Sequence, residues 1–202
     1  VKNMKTFITV LVLILSLQSW TKAEDISDFE IEGMSVGDSL LDYLPKNKIL
    51  SKINHSSSYW YPNDAFVSIG TMSEAARYEL YEDVGIILKP NDKKFIIYAL
   101  EGTFYYGDKI KKCHKKQKEI SSDLKEMFNS TNYKLNEFEV KYQRDKSGKS
   151  KVKYVDFLFE DTSAVRVICY NMSKELNDKG NDDSLYTVIN SSEFMTWLNN
   201  NM

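Results

Sequence analysis

The segment KFIIYALEGTFYYGDKIKKCHKKQKEISSDLKEMF (residues 94–128) decides the fold, because it joins a long strand pattern directly to a long helix pattern. Its first part, up to Gly107, is rich in Ile, Tyr and Phe, which favour strands. From Asp108, which we expect to cap the helix, residues suited to burial recur at helical spacing. This predicted inner stripe consists of Ile110, Cys113, Gln117, Ile120, Leu124, Met127 and Phe128.

Strand patterns flank this segment on both sides. The preceding residues, YELYEDVGIILK (78–89), end in the turn PNDK (90–93), so that the two strands form a hairpin. A second hairpin follows the helix, with EFEVKYQRD (137–145) and KVKYVDFLFED (151–161) joined by the turn KSGK (146–149). Shorter strands are predicted around Phe29 and Ile31, over 66–70, in SAVRVICYN (163–171) and in SLYTVIN (184–190).

Short helices are predicted near both ends of the chain. Leu40, Leu41 and Leu44 follow helical spacing, and Pro45 suits the first turn of a second short helix. The segment SSEFMTWLNN (191–200) predicts a capped C-terminal helix. The residues of that helix expected to pack inward are Phe194, Trp197 and Leu198.

These elements together predict the fold class. Successive strands joined by tight turns indicate an antiparallel sheet, and the long helix must cover one of its faces. We therefore expect a single α+β domain over residues 24–202. It should hold one antiparallel sheet of about six to seven strands with one long helix packed across it, short N-terminal helices and a short C-terminal helix.

The first 23 residues have the pattern of a secretory signal peptide. A basic start precedes an apolar run from Phe7 to Leu15, and Thr21 and Ala23 supply small residues at its end. The alternative is a retained membrane anchor, but the run is shorter than the roughly 20 apolar residues that a spanning helix needs. We expect cleavage after residue 23, a mature chain in the periplasm or secreted, and no membrane span after cleavage.

The two cysteines, Cys113 and Cys169, bear on whether the chain folds in an oxidising compartment. An even pair in an oxidising compartment predicts a disulfide. Cys113 lies on the inner stripe of the helix and Cys169 shares a strand face with Val165 and Val167, which is the arrangement that a bridge requires. Two free thiols, or a metal site formed with His114, are the alternatives, although the metal site lacks a fourth ligand and any CxxC spacing.

Composition and charge limit the classes of partner. The formal net charge is −2, and it becomes more acidic when the leader and its lysines are removed. Such a chain is not expected to bind nucleic acid, which requires a basic surface. We also expect no cofactor and no metal ion.

Gly37-Asp38-Ser39-Leu40 spells the block that carries the nucleophile in GDSL-type hydrolases. A serine nucleophile needs a base, and the chain lacks the C-terminal Asp-x-x-His motif that supplies one in that family. The block should therefore begin a helix, capped by Asp38 or Ser35.

DKSGKS (145–150) resembles the end of a phosphate-binding loop. The full pattern needs another glycine where Gln143 stands and a helix after the loop, whereas a strand pattern follows here. We interpret this segment as a hairpin turn.

Two surfaces are candidates for partner binding. Lysines concentrate at the start of the long helix, where the helix dipole disfavours them, which suggests contact with an anionic partner. The alternative is a solvated charged face. The aromatic cluster Tyr59-Trp60-Tyr61, with Tyr105 and Tyr106, would suit a ligand platform, although aromatic residues also serve as core. The lysines in question are Lys109, Lys111, Lys112, Lys115 and Lys116.

The chain resembles a group of small exported proteins from marine planktonic alphaproteobacteria that carry the motif IEGMSxGDSLLD. The resemblance spans essentially residues 24–202 and implies export and a single domain, but it implies no functional residue. It is carried by DFEIEGMSVGDSLLDYL (28–44), NDKKFIIY (91–98), KKQKEISSDLKEMF (115–128), DKSGKSK (145–151) and RVICYNMSKEL (166–176).

We interpret the chain as an exported, non-catalytic domain that binds an envelope protein or an anionic ligand. Two alternatives stay open. In the first alternative, the chain is an envelope structural or inhibitory protein that pairs through the edge of its sheet. In the second, it is an unrecognised hydrolase. The first alternative requires an exposed, regular edge strand, and the second requires converging acids or His114 in a deep pocket.

Overall fold

The computed structural model describes residues 26–70 and 79–201. The predicted signal peptide, residues 1–23, lies outside the described residues, and so does the first residue of the strand pattern at 78–89. The described part of the chain is α+β, as predicted, with its strands in antiparallel sheets and a long helix against the larger sheet.

Ten strands are present in the described residues. A small two-stranded sheet pairs β1 with β2, and the other eight strands form one sheet in the order β3-β4-β5-β6-β10-β9-β8-β7. All of the pairs are antiparallel. The bounds are β1 Glu30–Ile31, β2 Met34–Ser35, β3 Tyr59–Trp60, β4 Val67–Ile69, β5 Asp83–Leu88, β6 Ile97–Gly107, β7 Tyr133–Lys141, β8 Lys151–Phe159, β9 Ala164–Asn171 and β10 Asp183–Asn190.

Four α-helices accompany these strands in the described residues. The long helix is α2, and α4 is the C-terminal helix predicted from the sequence. Three short 3₁₀ segments lie at 26–28, 40–42 and 62–64. The helix bounds are α1 Lys46–Ile53, α2 Ile110–Met127, α3 Lys174–Asn177 and α4 Ser192–Asn201.

The sheet consists of two meanders that meet at its centre. Strands β3 to β6 run consecutively from one edge, and β7 to β10 run consecutively back from the other edge, so that β10 pairs with β6. Helix α2 makes the connection from the centre of the sheet to β7 at the far edge. The last strand is therefore a central one, as its nearly continuous burial shows.

One face of the sheet is covered by α2. Cys113, Gln117, Leu124 and Phe128 turn inward onto the main core. The sulfur atoms of Cys113 and Cys169 lie at disulfide-bonding distance, with Cα atoms 6.1 Å apart, which confirms the predicted pairing. The same cysteines are therefore not available for the alternative metal site.

The opposite face is covered only in part. The inward residues of α4, led by Phe194, pack on Phe66, Ile87 and Ala99. Farther along the same face a separate apolar cluster, Val152, Ile168 and Val188, is surrounded by tyrosine side chains instead of a described helix. This second half of the face contains the candidate site.

Several local predictions need correction. The main sheet has eight described strands, because a two-residue strand, β3, lies in a segment predicted as loop and is too short to show periodicity. Asp108 does not cap α2, which begins after Lys109 without a side-chain cap from it. Instead the Asp183 carboxylate, from β10, lies near the backbone N–H of Ile110 at the start of the helix. Met127 is exposed because it lies at the edge of the stripe.

The GDSL-like block starts a short helix, but a different residue caps it. Ser39 itself is the N-cap of the 3₁₀ segment 40–42, where its Oγ accepts from the backbone of Leu41 and donates to the carbonyl of Lys94. Asp38 instead accepts hydrogen bonds from the backbone of Ser35 and from the hydroxyl of Tyr43. The predicted caps, Asp38 and Ser35, are therefore wrong, although the helix start is confirmed.

Candidate functional site

The candidate site is a cavity of about 500 Å³ on the half of the sheet face that α4 does not cover. We call it the tyrosine cavity. Its floor comes from strands β6, β9 and β10, and its walls come from the loop after β9 and the turn after β7. It is lined by Glu101, Tyr105, Tyr142, Arg144, Ile168, Tyr170, Met172, Gly180, Asn181, Asp182, Ser184, Tyr186 and Val188.

Strand register brings these residues together from distant parts of the sequence. Tyr186 of β10 is paired with Ile168 of β9, and Val188 is paired with Glu101 of β6. Alternate residues of a strand share a face, so Tyr170 and Ser184 continue the same surface. The site therefore exists only once β10 is inserted between β6 and β9.

The tyrosine rings stand at steep angles to one another. The Tyr142 and Tyr170 rings are 5.8 Å apart with planes at 90°, and the Tyr170 and Tyr186 rings are 5.2 Å apart at 68°. Tyr154, the next ring along the face, packs against the same apolar cluster. Edge-to-face contacts of this kind fix the ring positions, so the cavity wall is preorganised.

Glu101 places a carboxylate in the floor of the cavity. Its cross-strand neighbour is Gly85, where a Cβ atom would lie 3.0 Å from the Glu101 Oε2 atom. Glycine therefore leaves room for this carboxylate. Burial, and then the charge of nearby Asp83, raise the pKa of Glu101. Within residues 26–70 and 79–201, no cationic side chain forms an ion pair with it.

The pKa values of the tyrosine hydroxyls are raised by burial and by the nearby carboxylates. Burial, and then the charge of Asp83, raise the pKa of Tyr105 to about 12, and the Tyr105 hydroxyl lies 3.3 Å from the Asp83 Oδ2 atom. Burial and then the charge of Glu101 raise the pKa of Tyr186. The pKa of Tyr170 is raised first by burial and also, more weakly, by Glu101. These hydroxyls stay protonated at neutral pH and can donate hydrogen bonds.

The rim of the cavity is held by polar contacts. The Asp183 carboxylate accepts from the backbone of Met172, and the Asn177 side chain donates to the Met172 carbonyl, which fixes the loop after β9. On the other side, the turn after β7 is held by Asp145, whose carboxylate accepts from the backbone and hydroxyl of Ser150. Both walls are therefore anchored to the sheet.

A buried ion pair lies beside the cavity on the same face. Arg166 donates from Nε and Nη2 to the two oxygens of Asp156, at 3.1 and 2.8 Å, and its guanidinium lies 5.3 Å from the Tyr154 ring. The charge of Arg166 is therefore already neutralised. Phe138 of the edge strand β7 stacks on Tyr154 at 4.9 Å and extends the aromatic surface.

The predicted lysine surface lies on the opposite side of the sheet, on α2. Lys109 immediately precedes the helix, and Lys111, Lys112 and Lys115 are exposed on it. Lys115 and Lys116 each approach Glu119 at 3.8 Å, and such exposed pairs contribute little to stability. The lysines thus form a solvated face, and no other candidate functional group among the described residues lies against it.

The predicted aromatic cluster stays together in part, since the Tyr59 and Tyr61 rings are in edge-to-face contact with centroids 4.9 Å apart. Tyr59 and Trp60 on β3 are 47% and 41% exposed, whereas Tyr61 packs against Phe194 and Trp197 of α4. The Tyr59-Trp60-Tyr61 segment and the lysines do not line the tyrosine cavity. Of the residues in the predicted aromatic platform, Tyr105 does line it, and Tyr106 does not.

A second cavity, of about 450 Å³, lies between α2 and strands β7 and β8. It contains His114, whose pKa is lowered by burial and then by the charge of Lys153. Lys125 there is paired with Glu137 at 3.3 Å. Its lining charges have both signs, and His114 is separated from the acids of the tyrosine cavity by the sheet.

Sequence reasoning missed the central residues of the site, Glu101, Tyr142, Tyr170 and Tyr186. One signal was present, since β9 and β10 carry tyrosine where an exposed strand face would ordinarily carry charge. The strand order was not predicted, and without it these strands could not be placed side by side. The DKSGKS segment is a hairpin turn before β8, as predicted.

The chain matches no known family model, no curated protein and no solved structure. Within the part of the chain that the structure describes, no helix is long and apolar enough to cross a membrane.

Proposed function

We propose that the chain is an exported, non-catalytic domain that binds a small ligand or a partner group in the tyrosine cavity. The main support for this proposal is a preorganised concave surface. Four tyrosines, an apolar floor and one unpaired carboxylate come together there. Small-molecule sites are typically cavities of about 300–1,000 Å³ with an apolar lining and a few convergent polar groups. The tyrosine cavity lies in this size range, and its lining combines the apolar side chains of Ile168 and Val188 with a larger share of polar groups.

Export to the periplasm or the exterior is part of the proposal. The Cys113–Cys169 pair supports it, because structural disulfides persist in oxidising compartments. The resemblance to exported proteins of marine alphaproteobacteria also supports export. We propose that the chain is related to these proteins and that it forms a single domain. Mass spectrometry of the native protein should find a mature chain that begins at residue 24, and an intact leader would contradict export.

The hydrolase alternative receives less support from the same geometry. The hydroxyl of Ser39 is occupied by the carbonyl of Lys94 and by the turn that it caps. His114, the best available base, lies in the other cavity from Glu101 and Asp182. These placements favour binding over nucleophilic catalysis.

An NMR screen tests the proposed binding site. Protein carrying ¹³C-labelled tyrosine rings would be mixed with a defined set of small polar, aromatic and charged compounds. We expect ligands that bind to shift the signals of Tyr142, Tyr170 and Tyr186 and to leave that of exposed Tyr59 unchanged. Tyr59 is the internal control, because it lies on the same sheet outside the cavity.

A variant identifies which surface is used. Replacing Tyr186 with Leu should abolish binding, while a combined glutamine substitution of Lys111, Lys112, Lys115 and Lys116 should leave it intact. If every ligand or partner were lost with the lysines and kept without Tyr186, the tyrosine cavity would not be the site and the lysine face would be.

A second candidate function, pairing through a sheet edge, is favoured by β7. This edge strand has nine residues in unbroken register with β8, and its Leu135, Phe138 and Val140 are exposed. An added strand can pair with such an edge. Lys134 and Glu139 place charges along it, a feature that discourages edge pairing and ranks this function second.

The edge candidate has its own test. Val140→Lys should abolish capture of an envelope protein if a strand adds to β7, whereas Leu50→Lys on α1 should not. The two positions are matched in exposure, at 44% and 39%. Equal capture by both variants would eliminate edge pairing.

A further inference from the structure

We infer that the tyrosine cavity recognises an organic ammonium cation, that is, a small molecule or side-chain group with an alkylated or primary ammonium head. This inference rests on the proposed function and names the ligand class of the same site. It follows from three features of the cavity: the angles between its rings, the balance of its charges and its unpaired carboxylate.

The ring angles favour a cage over a flat platform. The planes of three successive tyrosine rings, all of which line the cavity, turn through 90° and then 68°, so they do not form one flat surface. A sugar ring is recognised by stacking on a broad aromatic face. A compact cation is recognised by several ring faces around it, because each aromatic face carries negative charge density.

The charge balance of the region is negative. Glu101 and Asp182 line the cavity, and Asp83 lies beside Glu101 close enough to raise its pKa. Arg144 is the one cationic residue of the lining. The other nearby guanidinium, Arg166, is already committed to Asp156 through two hydrogen bonds. An anionic ligand would meet repulsion from the floor, whereas a cation would be attracted.

The state of Glu101 gives the cation a specific position. This carboxylate is partly buried, lies near a second carboxylate and has no ion-pair partner within residues 26–70 and 79–201. A desolvated charge without a partner is unfavourable, and a bound ammonium group would supply the missing partner. Gly85 on the neighbouring strand leaves space beside the carboxylate, since a Cβ atom there would lie 3.0 Å from the Glu101 Oε2 atom.

The inference is tested with tetramethylammonium chloride as the probe. Binding would be followed by calorimetry and by the ring signals of Tyr170 and Tyr186, with sodium chloride at equal ionic strength as the control. The neutral isostere tert-butanol, methyl glucoside and acetate are the comparison probes. We expect tetramethylammonium to bind and to shift the tyrosine signals, and the three comparison probes to bind at least about tenfold more weakly.

Variants connect this binding to the named groups. Glu101→Gln should weaken tetramethylammonium binding by about tenfold or more, because a charge-assisted contact is lost. Glu126→Gln removes an exposed carboxylate on α2 and should have no effect. If Glu101→Gln does not fold, Tyr186→Leu provides the second variant, with Tyr186→Phe as its ring-preserving control.

The possible outcomes separate the ligand class from the function itself. If tert-butanol or methyl glucoside bound the cavity as well as tetramethylammonium, the cation inference would be overturned and the proposed binding function would stand. If Glu101→Gln and Tyr186→Leu both bound tetramethylammonium normally, the cation would not be in this cavity. If no compound in the NMR screen shifted the cavity tyrosines, the inference and the proposed function would both fail.

Discussion

The link between α2 and β9 can be tested by removing the disulfide. Cys113 and Cys169 are both fully buried and are 56 positions apart in the sequence. In the chain-entropy model, closing a loop of that length restricts the unfolded chain and stabilises the fold by about 4 kcal/mol at room temperature. We expect a comparable loss in the free energy of unfolding when the bond is reduced. That loss is a large part of the roughly 5–15 kcal/mol that stabilises an ordinary domain.

Urea unfolding measures this contribution. The oxidised protein, the same protein reduced, and the double variant Cys113→Ala/Cys169→Ala would be compared by circular dichroism. Reduction isolates the loop constraint, because both sulfur atoms stay in the core, while the double variant also loses their packing. The reduced and substituted proteins should both unfold at lower urea and with a larger dependence on urea, since their unfolded chains are less compact. A difference below about 1 kcal/mol between oxidised and reduced protein would refute the reasoning.

Three further predictions concern the sheet and its turns. Arg166→Met leaves Asp156, which is 3% exposed, without its partner, and should lower the free energy of unfolding by roughly 3–5 kcal/mol in urea titrations. Gly102→Ala places a Cβ atom 2.6 Å from the ring of Tyr81 and should destabilise the protein by about 1–3 kcal/mol in the same assay. Hydrogen bonds, led by the Ser150 hydroxyl, hold the pKa of Asp145 below its ordinary value. Its contribution should therefore be complete above about pH 4 and be lost as the pH falls further, so Asp145→Asn should flatten the acid dependence of stability.

Matched substitutions provide the controls for these predictions. Lys151→Met breaks the exposed pair with Glu139 and should change stability by at most about 1 kcal/mol. Gly70→Ala adds a Cβ atom that meets nothing within 4 Å and should be tolerated. A Gly102→Ala protein as stable as Gly70→Ala, an Arg166→Met loss no larger than that of Lys151→Met, or an unchanged acid slope in Asp145→Asn would each contradict its prediction.

Most of the local structure can be predicted from sequence patterns. The run at 94–107 and the helix after it are recognisable because their periodicities of two and 3.6 are long and regular. The same regularity is enough to predict that Cys113 and Cys169 lie on facing surfaces of the helix and the sheet. The two-residue strand Tyr59–Trp60 and the cap of α2 escape such patterns, because both depend on partners that are distant in sequence.

The candidate site is less accessible to sequence reasoning. Tyr105 is predicted to belong to an aromatic platform with Tyr59, Trp60 and Tyr61. The structure places Tyr105 in the lining of the tyrosine cavity and the other three outside that lining. Tyr170 and Tyr186 look like ordinary strand residues when each strand is considered alone. Glu101 looks like a surface acid for the same reason, although its carboxylate is partly buried in the floor of the cavity.

The sequence by itself determined the classes of its elements, the inner face of the long helix and the pairing of its two cysteines, because these follow from periodicity within short segments. The tertiary structure alone decided that β10 lies between β6 and β9. It also decided that α4 covers only half of the sheet face opposite α2. Strand order depends on contacts between residues far apart in the chain, which no local pattern records. The tyrosine cavity is a product of that order, so its chemistry emerges only when the strands are assembled.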